Sequence, residues 1–462
     1  MDQWTLVRRT APSAAVALLL LTSCTSGGVS GEPGASGVRD PYFSKLGNGG
    51  YDVEHYGLTL DYDPKSGRLK GTAEITARAT QDLSAFNLDF HGMKVDAATV
   101  EGREAAVSRA GDELTLRPEA ELTDGETFRT VVRYSGDPAT ITDDDESEEG
   151  WLPTEDGALA LGEPTGSMAW FPGNNHPLDK AAYDITITVP KGLKAISNGE
   201  LKSEQTRGDR ISFHWNSAEP MASYLATVAI GKYETKTSRT ESGLPVFTAV
   251  DPTVAKDSAE VLAKIPEIME WGTENFGPYP FSSVGAIVDR DDDAGYALET
   301  QTKPVFPGAP DESTLVHELA HQWFGNSVTP KSWQDMWLNE GFASYAEWLW
   351  EEDMYEDSSA DESFKKAFDE KDSWAFPPAD PPTAADISSE PVYGRGAMVI
   401  HKIREAVGDD AFYDIVQGWV ATHRHGNAST DDFTAYVEKK SGKDLTGLWK
   451  TWLYGQDKPA SP

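Results

Sequence analysis

The spacing of apolar residues changes about halfway along the chain. Between Tyr51 and Tyr233, apolar and polar residues alternate in short runs such as HYGLTLDYD, GTAEITARAT and AYDITITV, and clusters of turn-forming residues such as DPKSG, ISNGE and TRGDR separate these runs. Such alternation is typical of strands that bury one face. It predicts an N-terminal antiparallel β domain, which we place at residues 45–236.

From about Val254 onward, the apolar residues recur with a helical period. Segments such as SAEVLAKIPEIMEWGTENFG, STLVHELAHQWFGN, MWLNEGFASYAEWLWEE and GRGAMVIHKIREAVG carry this spacing, and a short strand section is predicted near SVGAIVDR. We therefore predict an α+β, multidomain protein. In it, the β domain is followed by a mainly helical domain at residues 237–455 and a tail at 456–462.

Residues 1–24 have the features of an export signal. Arg8 and Arg9 precede an apolar run from Ala11 to Leu21, which is too short to span a membrane comfortably. The run ends in Leu-Thr-Ser-Cys, which resembles the bacterial lipobox, whose cysteine is lipidated and becomes the mature N-terminus. Because Cys24 is the only cysteine in the chain, we predict an extracytoplasmic protein with a lipid anchor in the cell membrane. An ordinary signal peptide with an incidental cysteine is the alternative.

The segment that follows, residues 25–44, is rich in Gly and Ser and contains Pro. Chains of this composition are flexible linkers, since they lack the apolar side chains needed to pack. We therefore predict a flexible tether between the signal peptide and the β domain.

Composition excludes one class of partner. The chain of 462 residues carries 76 acidic and 40 basic residues, for a net charge of −36. Binding to nucleic acid requires a basic surface for the phosphates, so we predict no nucleic-acid partner. An acidic loop, DDDESEEGW from Asp143, is expected to be solvated. A single cysteine allows no intrachain disulfide and no cysteine-based metal site.

The stretch HELAHQWFGN, residues 317–326, places two histidines four positions apart on a predicted helix. His317, Glu318 and His321 lie within about a third of the helix circumference, and apolar residues occupy most of the rest. Buried polar groups need partners, and a divalent cation satisfies both imidazoles at once. A histidine pair in the core, satisfied by hydrogen bonds, is the alternative.

A third ligand candidate strengthens the metal hypothesis. Eighteen residues separate His321 from Glu340, which lies in the apolar helical segment DMWLNEGFASYAEW. A carboxylate is costly to bury without a cation or hydrogen-bond partners. Two histidines and one glutamate leave the fourth tetrahedral position open, as catalytic zinc requires. The pattern therefore favours a site for one Zn²⁺ per chain.

These motifs resemble the aminopeptidase N family of zinc metallopeptidases. HELAHQWFGN, the gap of eighteen residues and WLNEGFA carry the resemblance, and further similar segments, from YDVEHYGLTLDYD to LWKTWLYG, extend it from Tyr51 to Gly455. The resemblance implies a saddle-like β domain followed by a thermolysin-like catalytic domain. It also implies that the two histidines and Glu340 hold zinc, and that Glu318 is the general base that takes a proton from the attacking water.

The same resemblance implies three further site residues. PVYGRGAMVIHKIR is similar to the Tyr-x-Lys-Gly segment of the family, so Tyr393 would donate a hydrogen bond to the oxyanion, with Arg395 in place of the usual Lys. GYALETQTKPVF stands where the family has Gly-Ala-Met-Glu-Asn, so Glu299 would bind the α-ammonium of the substrate. Glu163 aligns with a second contact to that amine. A packing tyrosine and a solvated loop acid are the alternatives for Tyr393 and Glu163.

The expected reaction is zinc-dependent hydrolysis of the N-terminal peptide bond of peptides that have a free N-terminus. Because the Glu299 segment departs from the family pattern, an endopeptidase or an epoxide hydrolase remains an alternative. A non-catalytic scaffold that binds peptides is a second one. Larger family members continue into a further helical domain, and a chain without it is expected to have a more open cleft.

Overall fold

A computed structural model describes residues 29–143, 145–290, 294–356 and 358–462. The predicted signal peptide and the lipid anchor at Cys24 lie outside these residues. Within the described ranges, no helix combines the length and the apolar character needed to cross a membrane.

The first half of the chain folds into strands in which buried and exposed residues alternate, as the sequence pattern predicts. These strands are β1 (Glu32–Pro33), β2 (Tyr51–Asp63), β3 (Arg68–Ala79), β4 (Leu83–Asp89), β5 (Lys94–Val100), β6 (Arg103–Glu104), β7 (Ala106–Ala110), β8 (Glu113–Arg117), β9 (Thr127–Gly136), β10 (Thr140–Thr142), β11 (Glu148–Pro153), β12 (Ala158–Leu161), β13 (Lys180–Pro190), β14 (Lys194–Ser197), β15 (Glu200–Arg207), β16 (Arg210–Ala222) and β17 (Val228–Gly231).

Three sheets form from these strands. Their orders are β15-β16-β13-β2-β3-β9-β5-β6, β10-β11-β12-β17-β14 and β1-β4-β8-β7. The predicted antiparallel arrangement holds for most neighbours, but β13 pairs with β2 in parallel at the centre of the largest sheet, and β1 pairs with β4 in parallel. Parallel neighbours need a long connection, and for β2 and β13 the intervening strands supply it.

The second half contains a smaller sheet and a group of helices. Its strands are β18 (Glu234–Arg239), β19 (Pro245–Val250), β20 (Val284–Asp289), β21 (Val305–Pro307), β22 (Thr329–Pro330) and β23 (Asn427–Ala428). Its α-helices are α1 (Ala255–Leu262), α2 (Ile265–Phe276), α3 (Glu312–Ala320), α4 (Trp337–Met354), α5 (Ala360–Asp369), α6 (Gly396–Val407), α7 (Asp409–His423), α8 (Thr430–Ser441) and α9 (Thr446–Leu448).

The predicted boundary between residues 236 and 237 falls inside a strand. Strand β18 pairs with β19 over its whole length, from Glu234 opposite Val250 to Arg239 opposite Pro245. The sheet of the second half, in the order β18-β19-β20-β21, therefore begins at Glu234. The strand section predicted near SVGAIVDR is β20, whose six residues are all buried.

Helices α3 and α4 carry the candidate metal ligands. Helix α3 begins after Asp311, whose side chain accepts a hydrogen bond from the backbone N–H of Thr314. Helix α4 packs against α6 at a glycine pair, where a Cβ on Gly341 would lie 2.9 Å from the Cα of Gly396. A larger side chain at either glycine would push the helices apart next to Glu340.

The N-terminal strap, which we define as residues 29–48, packs against both halves of the chain. Strand β1 extends the β domain, and the buried Asp40 carboxylate accepts hydrogen bonds from the backbone N–H of Trp333 at 3.0 Å and from the Ser332 hydroxyl at 2.9 Å. The Tyr42 hydroxyl donates to the carbonyl of Pro381. The predicted flexible tether is therefore wrong for residues 29–44, because these non-local hydrogen bonds and strand pairing hold them in place.

Replacing Asp40 by Asn is expected to destabilise the fold by about 2–4 kcal/mol, because it removes a buried charge that accepts several hydrogen bonds. Burial opposes ionisation of Asp40, but hydrogen bonds from His176 and from backbone N–H groups lower its pKa to about 2. A lowered pKa stabilises the fold above the unfolded-state value of 3.8. The difference in unfolding free energy between parent and variant, measured with urea, should therefore shrink as the pH falls from about 4 to about 2.

Asp124→Asn, at an exposed turn of the β domain, is the matched control and should change stability by less than about 0.5 kcal/mol. Equal stability of Asp40→Asn and the parent would contradict a holding role for the strap.

Candidate active site

The three predicted metal ligands come together at the crossing of α3 and α4. The Nε2 atom of His317 lies 3.3 Å from Glu340 Oε2, and the Nε2 atom of His321 lies 3.4 Å from the same oxygen. His321 and Glu340 are buried, and His317 is nearly so. Three candidate ligand atoms at such short separations match the coordination sphere of one small cation.

Both imidazoles are held in the orientation that a metal ligand needs. The Nδ1 atom of His317 lies 2.7 Å from the carboxylate of Glu347, and the Nδ1 atom of His321 lies 3.1 Å from the carbonyl of Phe324. An Nδ1–H that donates to these acceptors leaves the Nε2 lone pair free to face Glu340. The donor set and its orientation therefore fit Zn²⁺.

Glu347 is a site residue that the sequence analysis missed. It follows Glu340 by seven positions on α4, so the two carboxylates lie two helical turns apart on the same face. The sequence spacing alone could therefore have indicated that Glu347 lies near Glu340. In zinc sites, a carboxylate behind a ligand histidine fixes its tautomer and raises its basicity.

Glu318 is buried next to His317, His321 and Glu340, which we call the ligand group. Its Oε2 atom has no hydrogen-bond partner among the described residues. Burial raises the pKa of its carboxyl, the two imidazoles oppose the rise, and the charge of Glu299 adds to it. A carboxyl whose pKa is raised toward neutrality can both accept and release a proton.

The structure places Glu299 and Glu163 in the same cavity as the ligand group. Oxygens of Glu163, Glu299 and Glu340 approach one another within 4.8 Å, and Glu163 reaches this cluster from the β domain. Burial raises the pKa of Glu163 well above its usual value, and the neighbouring charge of Glu299 adds to the rise. Glu299 Oε1 also lacks a hydrogen-bond partner among the described residues. Crowded, desolvated carboxylates attract a cationic group.

The segment that carries Glu299 is tied to the ligand motif itself. The side-chain amides of Gln322 and Asn326 donate to the backbone carbonyl of Glu299 at 3.3 Å and 2.7 Å. The last part of HELAHQWFGN therefore fixes the position of Glu299. Sequence reasoning had assigned no role to either amide, since both contacts span more than twenty residues.

Tyr393 lies beside the ligand group, with its ring stacked on that of His317 at a centroid distance of 6.0 Å. Burial raises the pKa of its hydroxyl well above 10, and the carboxylate of Glu340 adds to the rise, so the group keeps its proton. Arg395 is fully buried and donates to the carbonyls of Trp452 and Phe376. It therefore anchors the short π-helical segment Pro391–Arg395, the turn that carries Tyr393, against the C-terminal segment Trp449–Leu453.

One cavity of about 850 Å³ is lined by His317, Glu318, His321 and Glu340 together with Glu163, Glu299 and Tyr393. The acidic loop that was expected to be solvated contributes to its rim through Asp145, Glu146 and Glu148. These three residues are exposed to solvent, as expected, but they also face the candidate site. The remaining polar lining includes Tyr296 and Ser388.

Comparison with protein families and solved structures gives a consistent result. The peptidase M1 N-terminal domain matches residues 52–225, and the peptidase family M1 domain matches residues 309–452. The M1 zinc metallopeptidase from Deinococcus radiodurans superposes with a TM-score of 0.86 at 28% identity, covering 92% of this chain and 98% of the other. A variant of that protein bound to a Tyr-Ser-Ala substrate gives the same TM-score and identity.

Curated relatives are longer than this chain. Glutamyl aminopeptidase of Bos taurus is 30% identical over 321 residues, which are 63% of this chain and 33% of the relative. Leucyl aminopeptidase of Saccharolobus solfataricus is 25% identical over 460 residues, which are 89% of this chain and 54% of the relative. The chain spans about a third to a half of the length of these relatives.

The β domain, the helical domain and the His-His-Glu group define a two-domain protein of the zinc metallopeptidase class. Within this class, the chain belongs to peptidase family M1, the aminopeptidase N family. The predictions of family, fold class and zinc are thereby confirmed, while the roles of the individual site residues stay predictions.

Glu347→Gln is expected to weaken zinc binding by about 10–100-fold, because the His317 imidazole loses the charged acceptor that orients it. The zinc dissociation constant can be measured by competition with a chromophoric chelator. Glu351→Gln is a matched control, since Glu351 lies one turn further along α4 and makes no hydrogen bond or ion pair with His317. Equal zinc affinity of the two variants would contradict the assigned role of Glu347.

Proposed function

We propose that this protein is a zinc-dependent aminopeptidase that hydrolyses the N-terminal peptide bond of peptides with a free N-terminus. One observation carries the proposal: the buried carboxylate of Glu299 and the half-buried carboxylate of Glu163 share a cavity with the His317, His321 and Glu340 group. A free α-ammonium is the part of a peptide that such carboxylates bind best. Relatives named as aminopeptidases support the assignment.

Each site residue has a distinct task in this reaction. Zn²⁺ held by the His-His-Glu group would act as a Lewis acid and make the attacking water more acidic. Glu318 accepts a proton from that water and passes it to the leaving amine. Tyr393 donates a hydrogen bond to the oxygen that becomes negative in the transition state. Glu299 and Glu163 bind the α-ammonium and so place the first peptide bond of the substrate at the cation.

Two alternative functions make different demands on the same site. An endopeptidase or an epoxide hydrolase needs no binding site for an α-ammonium, so its turnover would not depend on Glu299 or Glu163. A peptide-binding scaffold needs no general base. The placement of four carboxylates in one cavity favours the aminopeptidase, since an endopeptidase or epoxide hydrolase gives Glu163 and Glu299 no cationic partner and a scaffold gives Glu318 no task.

We also propose that the mature protein is extracytoplasmic and anchored in the cell membrane by lipid on Cys24. The support is the Leu-Thr-Ser-Cys sequence that ends the apolar leader. Cells that express the full chain with a radiolabelled fatty acid should yield labelled protein in the membrane fraction, and Cys24→Ala should yield none. Equal labelling of Cys24→Ala would contradict the anchor.

Glu318→Gln is expected to lower kcat by about 10²–10⁴-fold, because the general base is lost while its shape remains. Zinc content should not change, and this separates a loss of chemistry from a loss of metal. The measurement is hydrolysis of aminoacyl reporter substrates together with metal analysis of the same samples. Unchanged turnover in Glu318→Gln would rule out the proposed mechanism.

The same assay with Glu299→Gln tests the choice of bond. Losing a charge-assisted hydrogen bond of about 1.5–3 kcal/mol should lower kcat/KM for free aminoacyl substrates by about tenfold or more. Glu260→Gln, at an exposed position of α1, is the control and should have no effect. Cleavage of N-acetylated and free substrates at equal rates by the parent would favour the endopeptidase.

A further inference from the structure

A second group of potential ligands lies outside the active site. It consists of Asp361 in the first turn of α5, and His401 and Glu405, which are one turn apart on α6. Their candidate ligand atoms all lie within 4.8 Å of one another. The group lines a surface depression of about 360 Å³ that shares no lining residue with the active-site cavity.

The buried member of this group, His401, has an unusual environment. Its side chain is 3% exposed, and its Nε2 atom makes no hydrogen bond to any described residue. Yet Nε2 lies only 3.1 Å from Asp361 Oδ1 and 3.8 Å from Glu405 Oε1. The shorter distance is within hydrogen-bonding range, so it is the angle between the two groups that is unsuitable for a hydrogen bond.

Such an arrangement fits metal ligation better than a direct ion pair. Two ligands of one tetrahedral cation are separated by roughly 3–3.5 Å, and neither lies on the lone-pair axis of the other, because the metal occupies that axis. The Nδ1 atom of His401 lies 3.3 Å from the Tyr345 hydroxyl. An Nδ1–H that donates to this hydroxyl leaves the Nε2 lone pair directed at the depression.

The side chains around the depression carry more negative than positive charge, which favours the binding of a cation. Arg404 pairs with Glu352 at 2.7 Å and with Asp409 at 2.9 Å. Lys402 pairs with Glu405 Oε2 at 2.6 Å, so the other oxygen of Glu405 remains on the His401 side. Four carboxylates therefore face two cationic side chains.

We propose that Asp361, His401 and Glu405 form a second binding site, for a divalent transition-metal cation such as Zn²⁺. One imidazole with two carboxylates suits zinc and its first-row neighbours better than Mg²⁺ or Ca²⁺, which prefer oxygen ligands alone. A cation there joins α5 to α6, and α6 begins directly after the turn that carries Tyr393. The site is structural, since it lies apart from the cavity in which substrate would bind.

Zinc stoichiometry tests the proposal. The purified full-length protein is dialysed to equilibrium against micromolar free zinc, and bound zinc is measured by elemental analysis. The parent should bind two zinc ions per chain, and Asp361→Asn/Glu405→Gln should bind one and keep its turnover. Both replaced side chains are well exposed, at 67% and 47%, so the variant should fold. Added zinc should raise the unfolding temperature of the parent more than that of the variant.

The double variant Glu362→Gln/Asp410→Asn makes the same change of charge at exposed positions in the first turns of α5 and α7. It should bind two zinc ions, like the parent. His321→Ala should lose the active-site ion and keep the ion at the second site. That remaining ion should disappear when Asp361 and Glu405 are also replaced. One zinc ion in the parent, or equal uptake by the parent and Asp361→Asn/Glu405→Gln, would overturn the proposal and leave a plain ion pair between His401 and Asp361.

Discussion

The active site depends on an electrostatic repulsion among carboxylates that a bound cation relieves. Glu340, Glu318 and Glu299 are buried, and the half-buried Glu163 shares their cavity. Each ionised carboxylate raises the cost of ionising the next, since their mutual repulsion is poorly screened there. A metal ion beside Glu340 and a substrate ammonium beside Glu299 and Glu163 would compensate these charges. The same repulsion thus gives one physical reason for the metal ion and for the proposed binding of a substrate ammonium.

Several parts of the fold hold the site carboxylates in their positions. Glu163 comes from the β domain, so the site requires both halves of the chain to keep their relative position. The N-terminal strap helps to do so, because Asp40 and Tyr42 bond to segments around Trp333 and Pro381 in the helical domain. Closer to the metal ligands, the contact between Gly341 and Gly396 sets the spacing of α4 and α6. Stability and chemistry therefore rest on some of the same contacts.

Local sequence spacing predicted the two histidines, Glu318 and Glu340, because their geometry follows from helical periodicity and from the cost of burying charge. It also predicted the division into a β-rich and a helical half. Composition misled at residues 29–44, where a Gly/Ser-rich segment packs because Asp40 bonds to Trp333, 293 positions away. The parallel pairing of β2 with β13 was missed for the same reason. Partners that lie far apart in sequence leave no periodic signal.

The acidic loop adds negative charge at the exposed side of the cavity. Asp145, Glu146 and Glu148 line the cavity on its exposed side, and the chain as a whole carries a net charge of −36. A negatively charged rim above a desolvated pocket concentrates cations at the opening and speeds their arrival. Cationic ligands therefore meet this opening more often than acidic ones do. Because these residues are exposed, ordinary salt screens their charge over a distance of about 10 Å, so higher ionic strength would weaken the attraction of cationic ligands.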